Sequence, residues 1–369
     1  MRTFAKIFAI LFVLAALGAG AYALYRLFSG VSGIGTPATP ITAPVRSTTE
    51  TLSPRVKALS QQRIFDYWVD KATNAIYLVT LDGKIFRTFG DGREEEVAKQ
   101  TLPGLHRVEA SPTGTHALAR FNYPGLDTMA IFDTATRSWA RLPEGTFAAT
   151  FNPAGQLLAY LRRTNGRTAL FTLTLATGKT VEIAALAASD GDLRWVGDTI
   201  LVVPPPSAQI RTPALAYDTV KKTVRLINAG AMSLSDAQSG NGLRMYAENG
   251  ASAELFLANA SLTADLRRLS FLTLPAKCAF GGQTLYCGIP KNFPSRVTLP
   301  DDYLKEKFLS ADTLISFNIE NGKNDTLLLL GDDTAPVDAI YLAVKGKQLL
   351  FKNRYDEKLY AFELPQGKK

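Results

Sequence analysis

The chain has 369 residues, a formal net charge of +8, two cysteines and two histidines. The first 55 residues contribute +4, which leaves +4 for the rest of the sequence, where basic residues are dispersed. A nucleic-acid-binding domain normally concentrates Lys and Arg on one face. The composition therefore argues against a nucleic-acid partner.

An apolar segment without charged residues runs from Ile7 to Tyr25. At about 1.5 Å per residue, a helix of this length can cross the ~30 Å hydrocarbon layer of a bilayer. Arg2 and Lys6 precede the segment, so the positive-inside rule predicts a cytoplasmic N-terminus, residues 1–6, and an extracytoplasmic location for the rest. We therefore predict a single-pass cell-membrane protein, anchored in the lipid bilayer by one transmembrane helix. A signal peptide cleaved near Ala23, with secretion of the remainder, is the alternative.

A low-complexity segment, residues 26–54, follows the apolar segment and is rich in Gly, Ser, Thr and Pro. Such a composition buries little apolar surface and stays extended. We therefore predict a linker between the membrane and an ordered domain at residues 55–364, with a short C-terminal tail at 365–369.

Short apolar runs separated by tight turns fill the predicted domain, and the turns repeat. The first series recurs about every 43 residues, within the range typical of propeller blades. Pro and Gly at these turns supply the fixed and the positive φ angles that tight hairpins need. The seven turns are Thr73–Asn74, Ser111–Gly114, Asn152–Gly155, Val196–Asp198, Ser239–Gly242, Gly281–Gln283 and Lys345–Lys347.

A second series of turns follows the first by about twenty residues and keeps nearly the same period. The two series leave room for about four short strands per unit, which predicts an all-β fold, a seven-bladed β-propeller of four-stranded blades. The last unit lacks a fourth strand, and we predict that Arg55–Leu59 fills that edge and closes the ring. The second series comprises Gly90–Gly92, Asp133–Thr136, Ala176–Lys179, Asp218–Lys221, Leu262–Ala264 and Asn321–Lys323.

The two cysteines flank a predicted hairpin turn at Gly282-Gln283. Counting outwards from that turn places Cys278 opposite Cys287. Opposed Cβ atoms lie ~4.5–5.5 Å apart, near the range that a disulfide tolerates, and an oxidising compartment would favour the bond. We therefore predict a disulfide, with two buried free thiols as the alternative. A metal site is not predicted, because it would need further ligands and His106 and His116 lie several blades away.

The Ser111-Pro112-Thr113-Gly114 and Asn152-Pro153-Ala154-Gly155 turns resemble the WD40-like repeats of bacterial TolB-type β-propellers. The segments Lys277–Pro290 and Leu299–Lys305 resemble a membrane-anchored branch of those proteins, whose members share an N-terminal helix and a low-complexity spacer. No unit ends in the Trp-Asp pair of eukaryotic WD40 repeats. The resemblance implies the fold and an extracytoplasmic location, and it implies no activity, cofactor or catalytic residue.

Motifs of common enzyme classes are absent from the sequence, including Gly-x-Ser-x-Gly, His-Glu-x-x-His, the P-loop and the Asp-x-Asp-x-Asp-Gly calcium loop. We predict no catalytic residue, cofactor or metal. Loops of all blades meet on one face of a propeller. We therefore predict a membrane-tethered, extracytoplasmic module that binds or scaffolds an envelope protein or a ligand. The alternative is a propeller-type hydrolase or lyase with its site in the central channel.

The sixth unit is longer than the others by roughly sixteen residues, inserted at about 291–310. Pro300 followed by two acidic residues favours a short helix. Insertions in repeat proteins often lie on the binding face, so the insertion is a candidate partner-binding loop. A loop that only caps the rim or one mouth of the channel is the alternative. The candidate residues are Phe293, Arg296, Asp301, Asp302 and Tyr303.

Overall fold

The structure is a computed structural model that describes residues 55–365, apart from gaps at 90–91, 188–189, 210–212, 249–251 and 330–334. The predicted transmembrane segment, 7–25, and the predicted linker, 26–54, lie outside the described residues. Within the described residues, no helix is long and apolar enough to span a membrane. The transmembrane helix therefore stays a prediction.

Seven antiparallel sheets of four strands each form the blades of a propeller, as the two turn series predict. Blade 1 contains β2 (Ile64–Val69), β3 (Ile76–Thr80), β4 (Ile85–Thr88) and β5 (Glu94–Ala98). Blade 2 contains β6 (Arg107–Ala110), β7 (His116–Phe121), β8 (Thr128–Asp133) and β9 (Ser138–Arg141). Blade 3 contains β10 (Thr146–Phe151), β11 (Leu157–Thr164), β12 (Arg167–Thr174) and β13 (Thr180–Ala185). Blade 4 contains β14 (Asp192–Val196), β15 (Thr199–Val203), β16 (Ala214–Asp218) and β17 (Thr223–Ile227).

The remaining strands complete the ring. Blade 5 contains β18 (Met232–Asp236), β19 (Asn241–Glu248), β20 (Ser252–Asn259) and β21 (Asp265–Arg268). Blade 6 contains β22 (Cys278–Gly281), β23 (Thr284–Pro290), β24 (Asp312–Asn318) and β25 (Asn324–Leu328). Blade 7 contains β26 (Ala339–Lys345), β27 (Gln348–Asn353), β28 (Lys358–Glu363) and, from the start of the domain, β1 (Val56–Ala58).

The propeller has two unlike faces. All hairpin turns between strands 1 and 2, and between strands 3 and 4, lie at one end of the ring, which we call the turn face. The loops between strands 2 and 3, and the connections between blades, lie at the other end, the loop face. One turn of blade 2 packs closely against blade 1. Gly114 in this turn has φ +76°, and a Cβ atom there would overlap the carbonyl oxygen of Val69 in blade 1. Only glycine fits this position without strain.

The ring closes through the N-terminal strand, as the missing fourth strand predicts. β1 pairs antiparallel with β28, with Val56 opposite Phe362 and Ala58 opposite Tyr360. Val56 is buried, and Leu59 continues the pairing through a 2.8 Å backbone hydrogen bond to Leu359. Strand β1 begins at the turn face and runs towards the loop face. The chain therefore joins the propeller from the turn-face side.

Apolar and aromatic side chains fill the space between neighbouring blades. Trp68 in blade 1 stacks on Tyr77 at 5.1 Å and meets Phe132 of blade 2 edge-on at 6.2 Å between ring centroids. Its indole N–H donates to the Gly114 carbonyl at 3.0 Å, so the buried ring has its polar atom satisfied. Burial of each such large side chain contributes about 1.5–3 kcal/mol. Packing of this kind holds the channel walls at fixed positions.

The predicted disulfide is present in blade 6. Cys278 and Cys287 occupy directly opposed positions of the β22–β23 hairpin, with their Cα atoms 4.2 Å apart. The register places Gly281 opposite Thr284, as expected for a turn at Gly282-Gln283. Both sulfur-bearing side chains lie in the apolar core.

Candidate functional site

The insertion of blade 6 lies on the loop face between β23 and β24 and carries the short helix α1 (Asp301–Leu304). Most of its apolar side chains fold onto the propeller, whereas Leu304 is 44% exposed. Phe293 packs against the blade 6 core and contacts Phe308 at 6.3 Å between ring centroids. Tyr303 is only 4% exposed. The insertion is therefore an integral part of the loop face.

Tyr303 belongs to a buried polar network that joins blades 6 and 7. At its centre, Lys277 Nζ lies 2.5 Å from Asp338 Oδ1 and 2.7 Å from Asp312 Oδ2, and none of these three side chains is exposed to solvent. The Tyr303 hydroxyl donates to Asp338 at 2.6 Å, and Lys277 donates to Ser310 Oγ at 3.0 Å. The network thus ties the middle and the C-terminal end of the insertion to Lys277 and Asp338, which directly precede the inner strands of blades 6 and 7.

Charges within this network balance. Burial raises the pKa of Asp312, although the charge of Lys277 acts against the increase. Burial acts on Asp338 in the same direction, but the charge and hydrogen bond of Lys277 outweigh it and hold the pKa of Asp338 below its ordinary value. Arg354 lies over the Tyr303 ring at 4.2 Å and 3.2 Å from Asp338. Two cations therefore face two carboxylates, and the network suits a structural role.

The acidic residues of the insertion bind the protein's own chain. Asp301 accepts a hydrogen bond at 2.7 Å from the backbone N–H of Ala208, in the loop between strands 2 and 3 of blade 4. Asp302 forms an ion pair with Lys307 at 2.6 Å. Arg296 is exposed. Of the five predicted residues, the other four are held within the fold, and partner binding by the insertion stays a prediction.

Exposed apolar side chains are a second feature of the loop face. Tyr123 and Leu126, in the blade 2 loop, are 66% and 90% exposed. Leu81 in the adjacent blade 1 loop and Leu304 in the insertion are also exposed. The His106 ring lies 5.4 Å from the Tyr123 ring, at the edge of the same loop. Tyr123 and Leu126 therefore expose apolar side chains within one loop, with Leu81 exposed on the loop of the adjacent blade, and exposed apolar surface of this kind is a feature of interaction sites.

The central channel carries charged side chains from the inner strands, and we call this set the channel belt: Asp66, Arg107, Glu109, Asp192 and Arg194. All five are partly exposed. Each inner strand begins at the loop face, and most of these residues lie near the beginning of their strand. The belt therefore lies in the half of the channel nearest the loop face.

An ion pair within the belt joins two blades that are not neighbours in the ring. Arg107 of blade 2 pairs with Asp192 of blade 4, past the inner strand of blade 3 on the channel side. Arg107 also lies 3.2 Å from Glu109, which accepts a 2.7 Å hydrogen bond from Thr150 of blade 3. Although burial opposes it, the two carboxylates raise the pKa of Arg107. Arg194 of blade 4 donates to Ser233 of blade 5 at 3.0 Å.

Asp66 stands apart from these pairs, because its carboxylate forms no ion pair with any described residue. Burial raises its pKa from 3.8 to about 7, against the weaker opposing effects of the hydrogen bond from the Tyr67 backbone N–H and of the charges of Lys352 and Arg107. Backbone irregularities accompany it: β2 has a bulge between Ile64 and Asp66, and Tyr341 in the neighbouring β26 has φ +54° and is 40% exposed. Bulges and left-handed bulky residues occur preferentially at functional sites.

The turn-face mouth of the channel is crossed by a side-chain contact. Lys71, in the first turn of blade 1, donates to Gln238, in the first turn of blade 5, at 2.8 Å. These blades are not neighbours, so the bond spans the opening. Among the described residues, no three His, Cys, Asp or Glu side chains are grouped so as to hold a metal ion.

No sequence pattern indicates the channel belt or the Lys277 network. Both assemble residues from different blades, and the charges of each lie in ordinary strand sequence. Alignment of the repeats could have indicated part of the belt, because Asp66, Arg107 and Asp192 each lie within the first three residues of an inner strand.

Comparisons with known proteins agree on the fold. No family model and no curated protein sequence matches this chain. Oligogalacturonate lyase from Vibrio parahaemolyticus superimposes with a TM-score of 0.53 at 11% identity, over 88% of this chain and 96% of that chain. The tricorn protease gives a TM-score of 0.50 at 12% identity, over 85% of this chain and 34% of that chain. TolB from Acinetobacter baumannii gives 0.42 at 13% identity, over 82% of this chain and 63% of that chain.

The likeness to oligogalacturonate lyase and to the tricorn protease, with TM-scores of 0.53 and 0.50, shows a shared fold, and at these identities it shows the fold alone. The chain spans about a third of the tricorn protease and less than two thirds of TolB. What those proteins act on does not transfer through the fold.

Proposed function

We propose that this protein is a membrane-tethered, extracytoplasmic binding module whose loop face captures an envelope protein. One observation carries the proposal. Tyr123, Leu126 and Leu81 expose apolar surface on adjacent loops of the loop face, whereas β1 receives the chain from the turn-face side. The exposed surface thus lies away from the point where a tether would join the domain.

Two further features support the proposal. The disulfide of blade 6 is typical of proteins that mature in an oxidising compartment, and the apolar segment at residues 7–25 is long enough to anchor the chain. In addition, the Lys277 network holds the insertion against blades 6 and 7, so this part of the loop face is preformed. A preformed surface loses less conformational entropy on binding.

Site-specific photocrosslinking tests this function. A crosslinking amino acid replaces Leu126 in the full chain, and irradiation in the native envelope should give one discrete product that excess purified propeller domain suppresses. The matched control places the same amino acid at Val220, which is 71% exposed on the turn face. Equal labelling from both positions would contradict the proposal. A reporter fused after Lys369 tests the location separately and should be active only outside the cytoplasm.

A second candidate function is a hydrolase or lyase with its site in the channel. Asp66 favours it, because a general acid or base works best with a pKa near the working pH, and the pKa of Asp66 is about 7. Turnover of a chromogenic ester, lactone or glycoside by the wild type, lost in Asp66→Asn, would support this function. Turnover unchanged by that substitution would place catalysis elsewhere.

A further inference from the structure

Exposed apolar and basic side chains lie together on the turn face, at the outer edge of blades 3 and 4. Val220 is 71% exposed in the turn between β16 and β17. Val181 on β13 and Val224 on β17 are exposed as well. Four basic residues adjoin these valines, and we call the whole set the basic rim: Lys179, Val181, Val220, Lys221, Lys222, Val224 and Arg225.

The two halves of the basic rim face each other across the gap between blades 3 and 4. Val181 pairs with Thr172, which is two residues from Leu170 on the same side of β12. Val224 pairs with Tyr217 of β16. Leu170 and Tyr217 belong to one buried cluster that joins the two blades. The two valines therefore continue this interblade core outwards to the solvent.

The positive charges of the basic rim are not neutralised within the described part of the chain. None of its four cations forms an ion pair with a described residue. Asp218 accepts hydrogen bonds at 3.0 and 2.8 Å from two backbone N–H groups of its own turn, and two rim cations lie near enough to act on its charge. Glu182 on β13 is already paired with Arg167 at 2.6 Å. With Asp198 in the first turn of blade 4 also counted, four cations meet two unpaired carboxylates, and positive charge is in excess.

We propose that the basic rim docks on an anionic lipid surface. Apolar side chains surrounded by Lys and Arg are typical of protein surfaces that lie in a membrane interface. The basic side chains are attracted to the anionic head groups, while valines at a turn enter the boundary between head groups and acyl chains, ~5–10 Å deep. Leu226 lies two residues beyond Val224, about 7 Å further from the turn face at the rise of a β-strand, and marks the limit of the surface.

The place where the chain joins the domain favours a lipid occupant over a protein. β1 receives the chain from the turn-face side, and the predicted transmembrane segment, 7–25, precedes it in the sequence. As a flexible chain, the predicted linker, 26–54, would have a root-mean-square length of about 30 Å. The turn face would then stay within reach of the bilayer, so docking rests on the membrane tether of the proposed function. A tether also raises the local concentration of the domain, and a weak surface is then sufficient.

The position of the basic rim in the ring would fix the orientation of the domain. Blade 7, which β1 completes, lies across the seven-bladed ring from blades 3 and 4. The tether and the basic rim therefore hold the turn face at two separated points. The loop face, with Tyr123 and Leu126, then points away from the bilayer.

Fluorescence quenching in reconstituted vesicles tests the docking with the full chain. A fluorescent amino acid replaces Ala176, which is exposed in the adjoining turn of blade 3, and lipids with a nitroxide on the head group act as quenchers. Vesicles of phosphatidylcholine with phosphatidylglycerol should quench the probe strongly at low salt and weakly at high salt, because salt screens exposed charges. Phosphatidylcholine alone should quench it weakly at both. The same probe at Leu126 should be quenched weakly throughout.

Variants of the basic rim test its two components. Lys221→Gln combined with Lys222→Gln should lower the docking constant at least about tenfold, since each basic residue near an anionic surface contributes about a fivefold factor. Val220→Ser should lower it about threefold or more through loss of apolar contact. The matched control is Lys99→Gln combined with Arg141→Gln, two exposed basic residues at the loop-face ends of blades 1 and 2, and it should leave quenching unchanged.

Equal quenching with and without phosphatidylglycerol, or an equal loss in the control variant, would overturn the proposal. A discrete protein product from a photocrosslinking amino acid at Val220 in the native envelope would overturn it too, because the occupant would then be a protein.

Flotation of the full chain with vesicles at high salt measures the tether separately. Flotation without quenching that depends on phosphatidylglycerol would refute the docking and leave the tether intact. A chain that does not float at high salt would refute the tether. Flotation at low salt that requires both phosphatidylglycerol and the intact basic rim would then support the docking, and no flotation at low salt would overturn it.

Discussion

Replacement of Lys277 by Met should strongly destabilise the propeller. The variant keeps most of the side-chain volume but leaves Asp312 and Asp338 buried without the ammonium group that lies 2.7 and 2.5 Å from them. Removing one partner of a buried ion pair costs about 3–5 kcal/mol, because the other charge stays desolvated. Asp338 keeps Arg354 at 3.2 Å, which places the expected loss at the lower end of that range.

The loss of stability in Lys277→Met should also depend on pH, which gives a second test of this prediction. A carboxyl group in the unfolded chain has a pKa of about 3.9, whereas burial already raises the pKa of Asp312 in the folded protein. Without Lys277 that pKa rises further. The folded variant then holds a proton that the unfolded chain releases, so the loss of stability is small near pH 4 and grows as the pH rises through the folded-state pKa. Adding Asp312→Asn should recover about 1–3 kcal/mol at neutral pH.

Urea unfolding followed by tryptophan fluorescence measures the effect, since Trp68 is almost fully buried between blades 1 and 2. Lys323→Met is the matched control: Lys323 lies in the same blade and pairs with Asp325 at 3.1 Å, but both side chains are well exposed. An exposed pair contributes little, so its midpoint should not move. A Lys277→Met midpoint equal to that of the control would refute the electrostatic argument.

Three other outcomes test the fold. Deleting Arg55–Leu59 should lower the melting temperature far more than deleting residues 29–53, because only the first deletion exposes the edge of β28; equal melting temperatures would count against closure by β1. Gly114→Ala should cost about 1–3 kcal/mol more than Gly346→Ala in urea unfolding, because both have positive φ but only the first overlaps Val69. Alkylation and mass spectrometry of unreduced protein should find no free thiol, and two alkylated cysteines would exclude the disulfide, whose short loop contributes at most ~2–3 kcal/mol.

Local patterns explain why much of the fold could be predicted. Strand register follows from the turn that joins two strands, so the turn at Gly282-Gln283 was enough to pair Cys278 with Cys287. The same reasoning placed β1 on the last blade, because the final unit had only three strands. Both conclusions depend on residues that are close in the sequence or on a simple count of strands.

The candidate site could not be predicted in the same way. Lys277 precedes a cysteine at the start of a short strand, and its sequence context does not distinguish a buried lysine from an exposed one. Its partners Asp312 and Asp338 come from two different blades. The pairing of Arg107 with Asp192 likewise depends on how inner strands are placed around the channel, which no local pattern specifies. Tyr303 and Phe293 belong to the predicted partner-binding loop, and their packing depends on contacts between the insertion and the propeller that no local pattern specifies. Partner binding by this loop stays a prediction.

Closure of the ring by β1 has a consequence for the order of events during biosynthesis. The strand synthesised first within the domain is completed by β28, the strand synthesised last. Six blades can form as each emerges from the ribosome, since their strands are consecutive, but blade 7 cannot be finished until residues near 363 have emerged. Until then β1 has no partner, and the nascent domain presents an unpaired β-strand, which is the kind of edge that favours aggregation.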